Sequence, residues 1–317
     1  MPTYDSLTDR NAADALIPEE VSNEIIKALP VQSAALSLFR QARMSRKIRR
    51  MPVVNALPLA YFVNGDTGLK QTTEMDWTNK YLEAEEIAVI VPIPEAVLDD
   101  SEFDMWAEIK PLIIEAFGIK LDGAILFGVD KPATWGGAIV PSASDAGNEL
   151  VRGSVPDQPL DLDINDLMTL VEDDGFDVNG FTARKRIKGS LRGLRDQNGA
   201  LIFQPSLQAQ TPDSIYGERV QYLANGAWVN ADADLITGDY MQGIVATRQD
   251  LTWKVLTESV ISDADGKVIL NLAQQDSVAL RVVGRFAWQV PNPVNRMNAD
   301  NDTRYPFAVM RPAGWTP

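Results

Sequence analysis

The sequence predicts an α+β fold, because segments with helical and with strand patterns follow one another along the chain. Apolar residues at three- and four-residue spacing over residues 101–127 are typical of a long amphipathic helix. Before that helix, strand-forming residues lead into a strong turn signal at residues 64–68 and return through a polar run. This arrangement predicts a long β-hairpin.

The predicted helix begins near Ser101, which can cap its first turn together with Asp104. Pro111 predicts a bend. The carboxylates of residues 99–104 are interpreted as a solvated helix start that complements the helix dipole. A catalytic or metal site is the weaker interpretation, because no partner base or phosphate-binding loop accompanies them. The stripe itself consists of Phe103, Trp106, Ile109, Ile113, Phe117, Leu121 and Ile125.

The predicted hairpin is unusual in its polarity. Its first strand covers residues 48–63, and the chain returns through a polar run with Met75 and Trp77 set into it. The distal part, from about residue 60 to residue 82, is too polar on both faces to be buried in its own domain. We therefore expect this part to lie on another surface.

The flanking regions complete the predicted order of elements. Residues 18–29 carry a helical apolar pattern, a second helical series follows over residues 31–44, and residues 1–45 have little core of their own. Residues 129–160 are predicted as a connecting region. Beyond it we predict helices over 160–174 and 182–194, a turn at 196–199, and strands at 176–181, 201–203, 218–223, 235–236, 243–247, 251–256 and 278–290.

The chain has neither cysteine nor histidine. Disulfides, zinc–thiolate sites, cysteine nucleophiles and iron–sulfur clusters are therefore excluded, and the usual base of a serine nucleophile is missing. The sequence also has no Walker loop, dinucleotide fingerprint or serine elbow. Residues 263–266 are interpreted as a hairpin turn rather than a calcium loop. We expect a protein that is not an enzyme, with no catalytic residues, cofactor or metal.

The net charge of −15 argues against a chain whose main role is to grip nucleic acid. The charge is uneven, because no acidic residue lies between Ile25 and Gly65. The basic run there could contact a polyanion or the acidic surface of a neighbouring subunit. A second basic cluster, over residues 184–195, is interpreted as a solvated or subunit-facing helix rather than a phosphate site. The first run contains Arg40, Arg43, Arg46, Lys47, Arg49 and Arg50.

No apolar run reaches the roughly 18 residues that a membrane span needs. The first residues have neither a basic opening nor an apolar region after it, so they do not indicate a secretory signal. We expect a cytoplasmic product that makes no contact with a membrane.

The order of these parts resembles the HK97-fold major capsid proteins of tailed bacteriophages. The arm, the hairpin, the strand Val89-Ile90-Val91 and the helix over 101–127 match that family's N-arm, extended loop and spine helix in sequence order. The second half adds several short motifs, and the resemblance covers nearly the whole chain. These motifs include Leu191-Arg192-Gly193-Leu194, Tyr216-Gly217-Glu218-Arg219-Val220 and Thr237-Gly238-Asp239-Tyr240.

The resemblance implies an HK97-like capsid fold with an N-terminal arm, an extended β-hairpin loop, a long spine helix, and peripheral and axial domains. The implied bounds are 1–45 for the arm, 46–139 and 285–317 for the peripheral domain with its extended loop 56–85 and spine helix 101–127, and 140–284 for the axial domain.

The resemblance also implies a function and a set of partners. Copies would assemble through pentamers and hexamers into an icosahedral shell in the virion, around non-specifically held double-stranded DNA, with a portal. The arm follows Met1 almost directly, so a separate scaffolding protein, or none, is expected. The alternatives are an encapsulin-like compartment, a tail or receptor-binding component, and a carboxylate-based enzyme.

We predict subunit-interface residues in two groups. Met75 and Trp77 are the candidate anchors, because large apolar side chains dominate interface energies. Some relatives cross-link a loop lysine to an asparagine of a neighbour, but the presence of Lys70, Lys80 and asparagines near residues 292–298 does not by itself predict that reaction. The hairpin group is Asn64, Lys70, Met75, Trp77 and Lys80, and the basic group is Arg46, Arg49 and Arg50.

Overall fold

The computed structural model describes residues 33–62, 70, 72–99, 105–156, 158–194, 214–263 and 265–316. In chain order its elements are α1 (Ala34–Leu38), β1 (Arg40–Arg43), β2 (Ile48–Ala56), β3 (Asp76–Glu83), β4 (Glu85–Pro94), α2 (Glu95–Asp99), α3 (Met105–Asp122), α4 (Ile139–Asp145), β5 (Glu149–Val151), α5 (Leu160–Asp173), β6 (Gly180–Arg184), α6 (Lys185–Arg192), β7 (Ser214–Ile215), β8 (Glu218–Leu223), β9 (Leu235–Gly238), β10 (Ile244–Leu256), β11 (Val260–Ser262), β12 (Val268–Asn271), β13 (Ser277–Gln289) and β14 (Phe307–Arg311).

A four-stranded sheet in the order β1-β10-β13-β4 supports the largest core. β10 and β13 are antiparallel strands of 13 residues each, and β4 pairs with the outer side of β13. Every second side chain of β13 points into this core, among them Val282, Phe286 and Trp288. They share one core cluster with Phe117 and Leu121 of α3. The period-two pattern of the strand and the helical stripe therefore meet in one core.

α3 confirms the predicted long helix over its described part. It contains Pro111, continues as a π-helical turn over Gly123–Phe127, and ends at Gly128, whose positive φ of 77° suits glycine. Residues 101–104, where the helix start is predicted, lie outside the described residues. Within the described part of the chain, no helix is long and apolar enough to cross a membrane.

A six-stranded sheet in the order β5-β14-β9-β6-β8-β7 forms the second layer. α5 packs against it with Leu160, Ile164, Leu167 and Val171, which are buried in a separate core cluster. The predicted helix over 160–174 is confirmed, and Gly175 follows it with a φ of 78°. The predicted helix over 182–194 is shorter, because β6 extends to Arg184 before α6 begins.

Asp122, at the end of α3, binds the first residues of the described chain. Its carboxylate accepts hydrogen bonds from the Ser33 hydroxyl at 2.7 Å and from the amides of Ala34 and Ala35 at 3.1 and 2.9 Å. The side-chain amide of Asn225 donates a fourth bond at 2.7 Å. Burial raises the pKa of Asp122, and these hydrogen bonds offset part of that rise.

Three sequence predictions of secondary structure are wrong. The apolar series over residues 31–44 is not one helix, because α1 ends at Leu38 and β1 then pairs in parallel with β10. The connecting region over 129–160 contains α4 and β5. The strand predicted at 176–181 starts only at Gly180. For residues 31–44 and 176–181, pairing with a strand that is distant in sequence determines which residues form the strand, and the local sequence pattern does not indicate that pairing.

The two strands predicted at 243–247 and 251–256 are one strand, β10, with register shifts between Thr247 and Thr252. The remaining strands predicted at 218–223, 235–236 and 278–290 are confirmed within two residues at either end. The helix over 18–29, the turns at 64–68 and 196–199 and the strand at 201–203 lie outside the described residues.

The predicted domain division stays a prediction, and each of the two large sheets takes strands from more than one of the predicted ranges. β14 lies in range 285–317, yet it pairs with β9 and β5 of the six-stranded sheet. β10 lies in range 140–284, yet it belongs to the four-stranded sheet. Because backbone pairing joins strands that are far apart in sequence, contiguous ranges do not describe these sheets.

Candidate subunit interface

β2 and β3 form the antiparallel hairpin that the sequence predicts as an extended loop. Residues directly opposite one another in such a pair project from the same face. Val53 lies opposite Thr78, and Arg49 lies opposite Leu82, on one face. The other face carries four pairs, which are Ile48 with Glu83, Arg50 with Tyr81, Pro52 with Asn79, and Val54 with Trp77. We call these the inner face and the outer face.

The inner face anchors the hairpin to its own subunit. Leu82 is fully buried in a small cluster with Met44, Ile244 and Ala287. Burial of one such side chain contributes about 1.5–3 kcal/mol. The base of the hairpin is therefore held against the four-stranded sheet.

Polar contacts reinforce this base. The Lys47 ammonium lies 2.9 Å from the Glu83 carboxylate and 3.9 Å from that of Glu85. The hydrogen bond with Glu83 and the two negative charges raise the pKa of Lys47. The side-chain amide of Gln289 donates to the carbonyl of Tyr81 at 3.1 Å. These contacts fix the direction in which the hairpin leaves the subunit.

The outer face exposes large side chains to solvent. Trp77 is 57% exposed, Ile48 51% and Tyr81 50%, and Arg50 lies between them. Scattered apolar residues are normal on a protein surface, but a strip of aromatic and aliphatic side chains along one face marks an interaction surface. The outer face can therefore bury a substantial apolar area against a partner.

The distal part of the hairpin is also exposed, and residues 292–304 support it from one side. The side chains of Leu59 and Phe62 are 71% and 101% exposed. The Arg296 guanidinium donates to the carbonyl of Pro58 at 2.8 Å, and the Val294 amide donates to the carbonyl of Val54 at 3.2 Å. The hairpin is thus braced well beyond its base.

Arg304 organises that supporting segment. Its side chain is fully buried, and its guanidinium donates to the carbonyls of Asn298 at 2.8 Å and of Asn292 at 3.3 Å. It also donates to the side-chain oxygen of Asn301. Arg304 is not among the residues predicted from the sequence. The signal available was the recurrence of asparagine at 292, 295, 298 and 301 just before an arginine.

The structure places the predicted hairpin residues as follows. Met75 and Trp77 are exposed, as is Lys70, whereas Lys80 is half-buried on the inner face opposite Met51. Trp77 and Arg50 share the outer face. Asn64 lies outside the described residues. Trp77 is thus the predicted anchor that is most clearly available to a partner.

The predicted basic group lies at the same end of the molecule. Arg46, Arg49 and Arg50 are exposed, and none of them forms an ion pair with an acidic residue of the described chain. By contrast, Arg43 lies 3.9 Å from Asp250 and Lys47 pairs with Glu83. Three positive charges that have no acidic partner among the described residues, close to an apolar strip, favour an acidic partner surface.

Comparison with known proteins identifies the family. The model of the phage capsid family matches residues 13–294. This chain belongs to the phage capsid family. The major capsid protein of Staphylococcus phage 80alpha is 25% identical over 290 residues, which span 90% of this chain and 85% of that protein.

Solved structures give the same result for the fold. A structure from Microbacterium phage Oxtober96 is 42% identical, with a TM-score of 0.77 over 89% of this chain and 91% of that chain. A structure from Mycobacterium phage Cain is 30% identical, with a TM-score of 0.79 over 96% of this chain and 98% of that chain. The predicted HK97-like α+β capsid fold is confirmed.

Family membership also decides among the predicted functions. The prediction that this chain is a major capsid protein, which forms the shell of the phage capsid, is confirmed. The capsid protein is a structural component of the virion, and the compartment and tail-component alternatives are not supported.

Proposed function

We propose that copies of this capsid protein close into an icosahedral shell of pentamers and hexamers, and that each β2–β3 hairpin lies across the next subunit. The outer face of the hairpin is the observation that carries this proposal. Ile48, Trp77 and Tyr81 project from it, and each keeps half or more of its surface exposed in the subunit. A neighbouring copy supplies the missing cover.

The chemistry of the outer face indicates how the contact is made. Trp77 has a large flat ring at a position that the subunit leaves accessible, which is the usual character of an interface hot spot. Arg50 lies beside it on the same face, and Arg46 and Arg49 lie close in sequence. Apolar burial would supply affinity, and the arginines would select an acidic neighbouring surface and fix the register.

Assembly of the purified full-length chain tests this function. Electron microscopy and size-exclusion chromatography over a concentration series should show closed particles in equilibrium with free subunits. Monomers or small oligomers at every concentration, with and without co-expressed phage proteins, would reject the proposal.

We further propose that the shell encloses double-stranded DNA without sequence preference and is assembled in the host cytoplasm, with a separate scaffolding protein and a portal. The net charge of −15 is compatible with DNA that is packed without being gripped. Particles purified from infected cells should contain nuclease-protected DNA of many sequences. Co-expression of a scaffolding protein from the same phage should increase the fraction of uniform shells. If the fraction does not increase, the proposal of a separate scaffolding protein is rejected.

We also propose that the subunits have no catalytic role and do not cross-link covalently. The side-chain amide of Asn292 donates to the carbonyl of Arg304 at 2.8 Å. That of Asn295 donates to the carbonyl of Asp174 at 2.6 Å, and that of Asn298 donates to the carboxylate of Asp174 at 2.7 Å. These amides are therefore engaged in hydrogen bonds within the subunit. Boiled particles should give one band at the monomer mass, and a ladder would contradict this.

A further inference from the structure

The dipeptide Asn-Gly occurs four times in the sequence, beginning at Asn64, Asn179, Asn198 and Asn225. An asparagine loses its side-chain amide most readily in this dipeptide, because the glycine has no Cβ to hinder attack by its backbone nitrogen. Asn64 and Asn198 lie outside the described residues. The structure therefore allows a comparison of the two other sites, Asn179 and Asn225.

The side chain of Asn225, in the loop after β8, folds back over the backbone that follows it. Its oxygen accepts a hydrogen bond from the amide of Ala227 at 3.2 Å, which closes an Asx-turn. Its nitrogen donates to the carboxylate of Asp122 at 2.7 Å. The ring that the turn closes includes the amide nitrogen of Gly226, so the side-chain carbonyl carbon of Asn225 is held near that nitrogen.

The amide nitrogen of Gly226 is available for reaction. Gly226 is exposed and has a φ of 82°, and a Cβ placed on it would meet no atom within 4 Å. Its amide donates no hydrogen bond to any described residue. Asn225 lines one surface groove and Gly226 lines another. Water therefore reaches this dipeptide from two sides.

Asn179 begins the same dipeptide in different surroundings. Its side-chain oxygen accepts from the amide of Tyr240 at 2.9 Å, 61 positions away, instead of turning over the next residues. Gly180 is buried in β6, where it lies opposite Gly238, and a Cβ on it would lie 3.2 Å from the ring of Tyr240. The strand fixes the backbone of Gly180, and burial keeps water away from its nitrogen.

We propose that Asn225 is a self-modification site, which the folded subunit converts to aspartate or isoaspartate with water as the only co-reactant. Hydroxide takes the amide proton of Gly226, and the nitrogen attacks Cγ of Asn225. The new N–Cγ bond forms, the Cγ–Nδ2 bond breaks, and the side-chain nitrogen takes a proton from water and leaves as ammonia. Water then opens the resulting succinimide ring at either carbonyl.

Two features of the site promote this reaction. The Asx-turn holds the reacting carbon and nitrogen close together, which lowers the entropy cost of the attack. The amide of Ala227 already donates to the oxygen on which negative charge develops, as the donors of an oxyanion hole do. Asn179 has neither feature toward Gly180.

The reaction would change the contacts of Asp122. The side-chain amide of Asn225 donates to this carboxylate before conversion, whereas the product places a second carboxylate beside it, and the two like charges repel. Asp122 also accepts three hydrogen bonds from residues 33–35. Conversion of Asn225 therefore weakens the attachment of residues 33–35 to the end of α3, without the action of any other protein.

Peptide mass spectrometry of the full-length protein during storage tests the proposal. Free subunits kept at neutral pH and digested at acidic pH should show conversion of Asn225 at least about tenfold faster than that of Asn179, a difference of about 1.4 kcal/mol in activation free energy. The matched control is the same protein unfolded in urea, where the two dipeptides should react at similar rates.

Two results would overturn the proposal. The first is similar rates at the two sites in the folded subunit, or no conversion of Asn225 in the time that the unfolded chain needs to convert. The second is the same ratio of rates in the folded and the unfolded protein, because the local sequence would then be the cause rather than the fold.

The variant Asn225→Asp supplies one product directly and tests the effect on Asp122. Hydrogen–deuterium exchange of residues 33–35 should become at least about fivefold faster, because a buried acceptor loses a donor. The control Asn230→Asp changes the charge equally at an exposed position of the same loop and should leave this exchange unchanged. Unchanged exchange in Asn225→Asp would reject the effect on Asp122. Both measurements use free subunits, so they are independent of shell formation.

Discussion

The Ser33 hydroxyl donates a hydrogen bond of 2.7 Å to the buried carboxylate of Asp122, which lies 89 positions later in the chain. Asp122 also accepts bonds from the amides of Ala34 and Ala35 and from Asn225. One carboxylate thus joins the start of the described chain, the end of α3 and the segment after β8. Its contacts hold the first described residues, 33–35, to the end of α3.

Replacing Asp122 with alanine should destabilise the subunit. The substitution leaves four hydrogen-bond donors without their acceptor in a buried site, and each such loss costs about 1–3 kcal/mol. Removal of a buried charge offsets part of this cost. We expect a net loss of about 2 kcal/mol in the free energy of unfolding, measured by urea denaturation. The exposed Asp145→Ala should change it by less than about 0.5 kcal/mol, and equal effects would contradict the role of Asp122.

Trp77→Ala should weaken assembly while leaving the subunit folded. The side chain is 57% exposed in the subunit, so its removal costs little there, whereas truncation of a central interface tryptophan typically costs 2 kcal/mol or more. The subunit concentration at which shells form should therefore rise at least about tenfold. Sedimentation velocity measures this concentration.

The matched control is Thr78→Ala, an exposed residue of the same strand on the inner face. It should assemble like the wild type. If both variants assemble normally, Trp77 is not an anchor. If Trp77→Ala lowers the melting temperature of the free subunit as much as it impairs assembly, the effect is one of folding.

Reversal of charge on the hairpin should block assembly. The double variant Arg46→Glu and Arg50→Glu changes the net charge from −15 to −19, because each substitution removes one positive charge and adds one negative charge. An acidic partner surface would then repel the hairpin. Light scattering at low ionic strength should show little or no particle formation.

The control for this prediction has the same net charge. Lys185→Glu with Arg186→Glu on α6 also gives −19, at exposed positions away from the hairpin. If both double variants fail equally, overall charge is responsible rather than the hairpin arginines. Wild-type assembly should also weaken as salt increases, because exposed charges are screened beyond about 10 Å at 0.1 M.

Arg304→Lys should loosen residues 292–303 even though it keeps the positive charge. A lysine cannot reproduce a planar fork that donates to several carbonyls at once. Hydrogen–deuterium exchange in this segment should increase. Exchange should also increase in the distal part of the hairpin, because this segment supports it. Arg296→Ala, which removes one surface contact with Pro58, should affect only the hairpin. Unchanged exchange in Arg304→Lys would show that the segment is held by other contacts.

Regular periodicity made much of the fold predictable. The stripe of α3 and the apolar spacing of α5 were both evident from sequence, since each helix buries one continuous face. The hairpin was evident from strand-forming residues on either side of its turn signal, and its polarity correctly indicated exposure. These features depend on local sequence.

Long-range contacts were not predictable in the same way. Residues Arg40–Arg43 have no clear strand pattern and become β1 only because β10 offers a parallel edge. Arg304 looks like a surface residue in the sequence, and only the closure of residues 292–303 around it makes it buried. For the candidate interface, Trp77 and the arginines are predicted from the sequence and stay a prediction, while the support from residues 292–304 is evident only in the three-dimensional structure.

A reconstruction of the assembled particle by cryo-electron microscopy tests the central claim most directly. The account predicts a closed shell in which the outer face of every β2–β3 hairpin lies against a neighbouring subunit, with the Trp77 ring buried in that contact. A closed shell whose hairpins project into solvent, with Trp77 as exposed as in the single subunit, would contradict it.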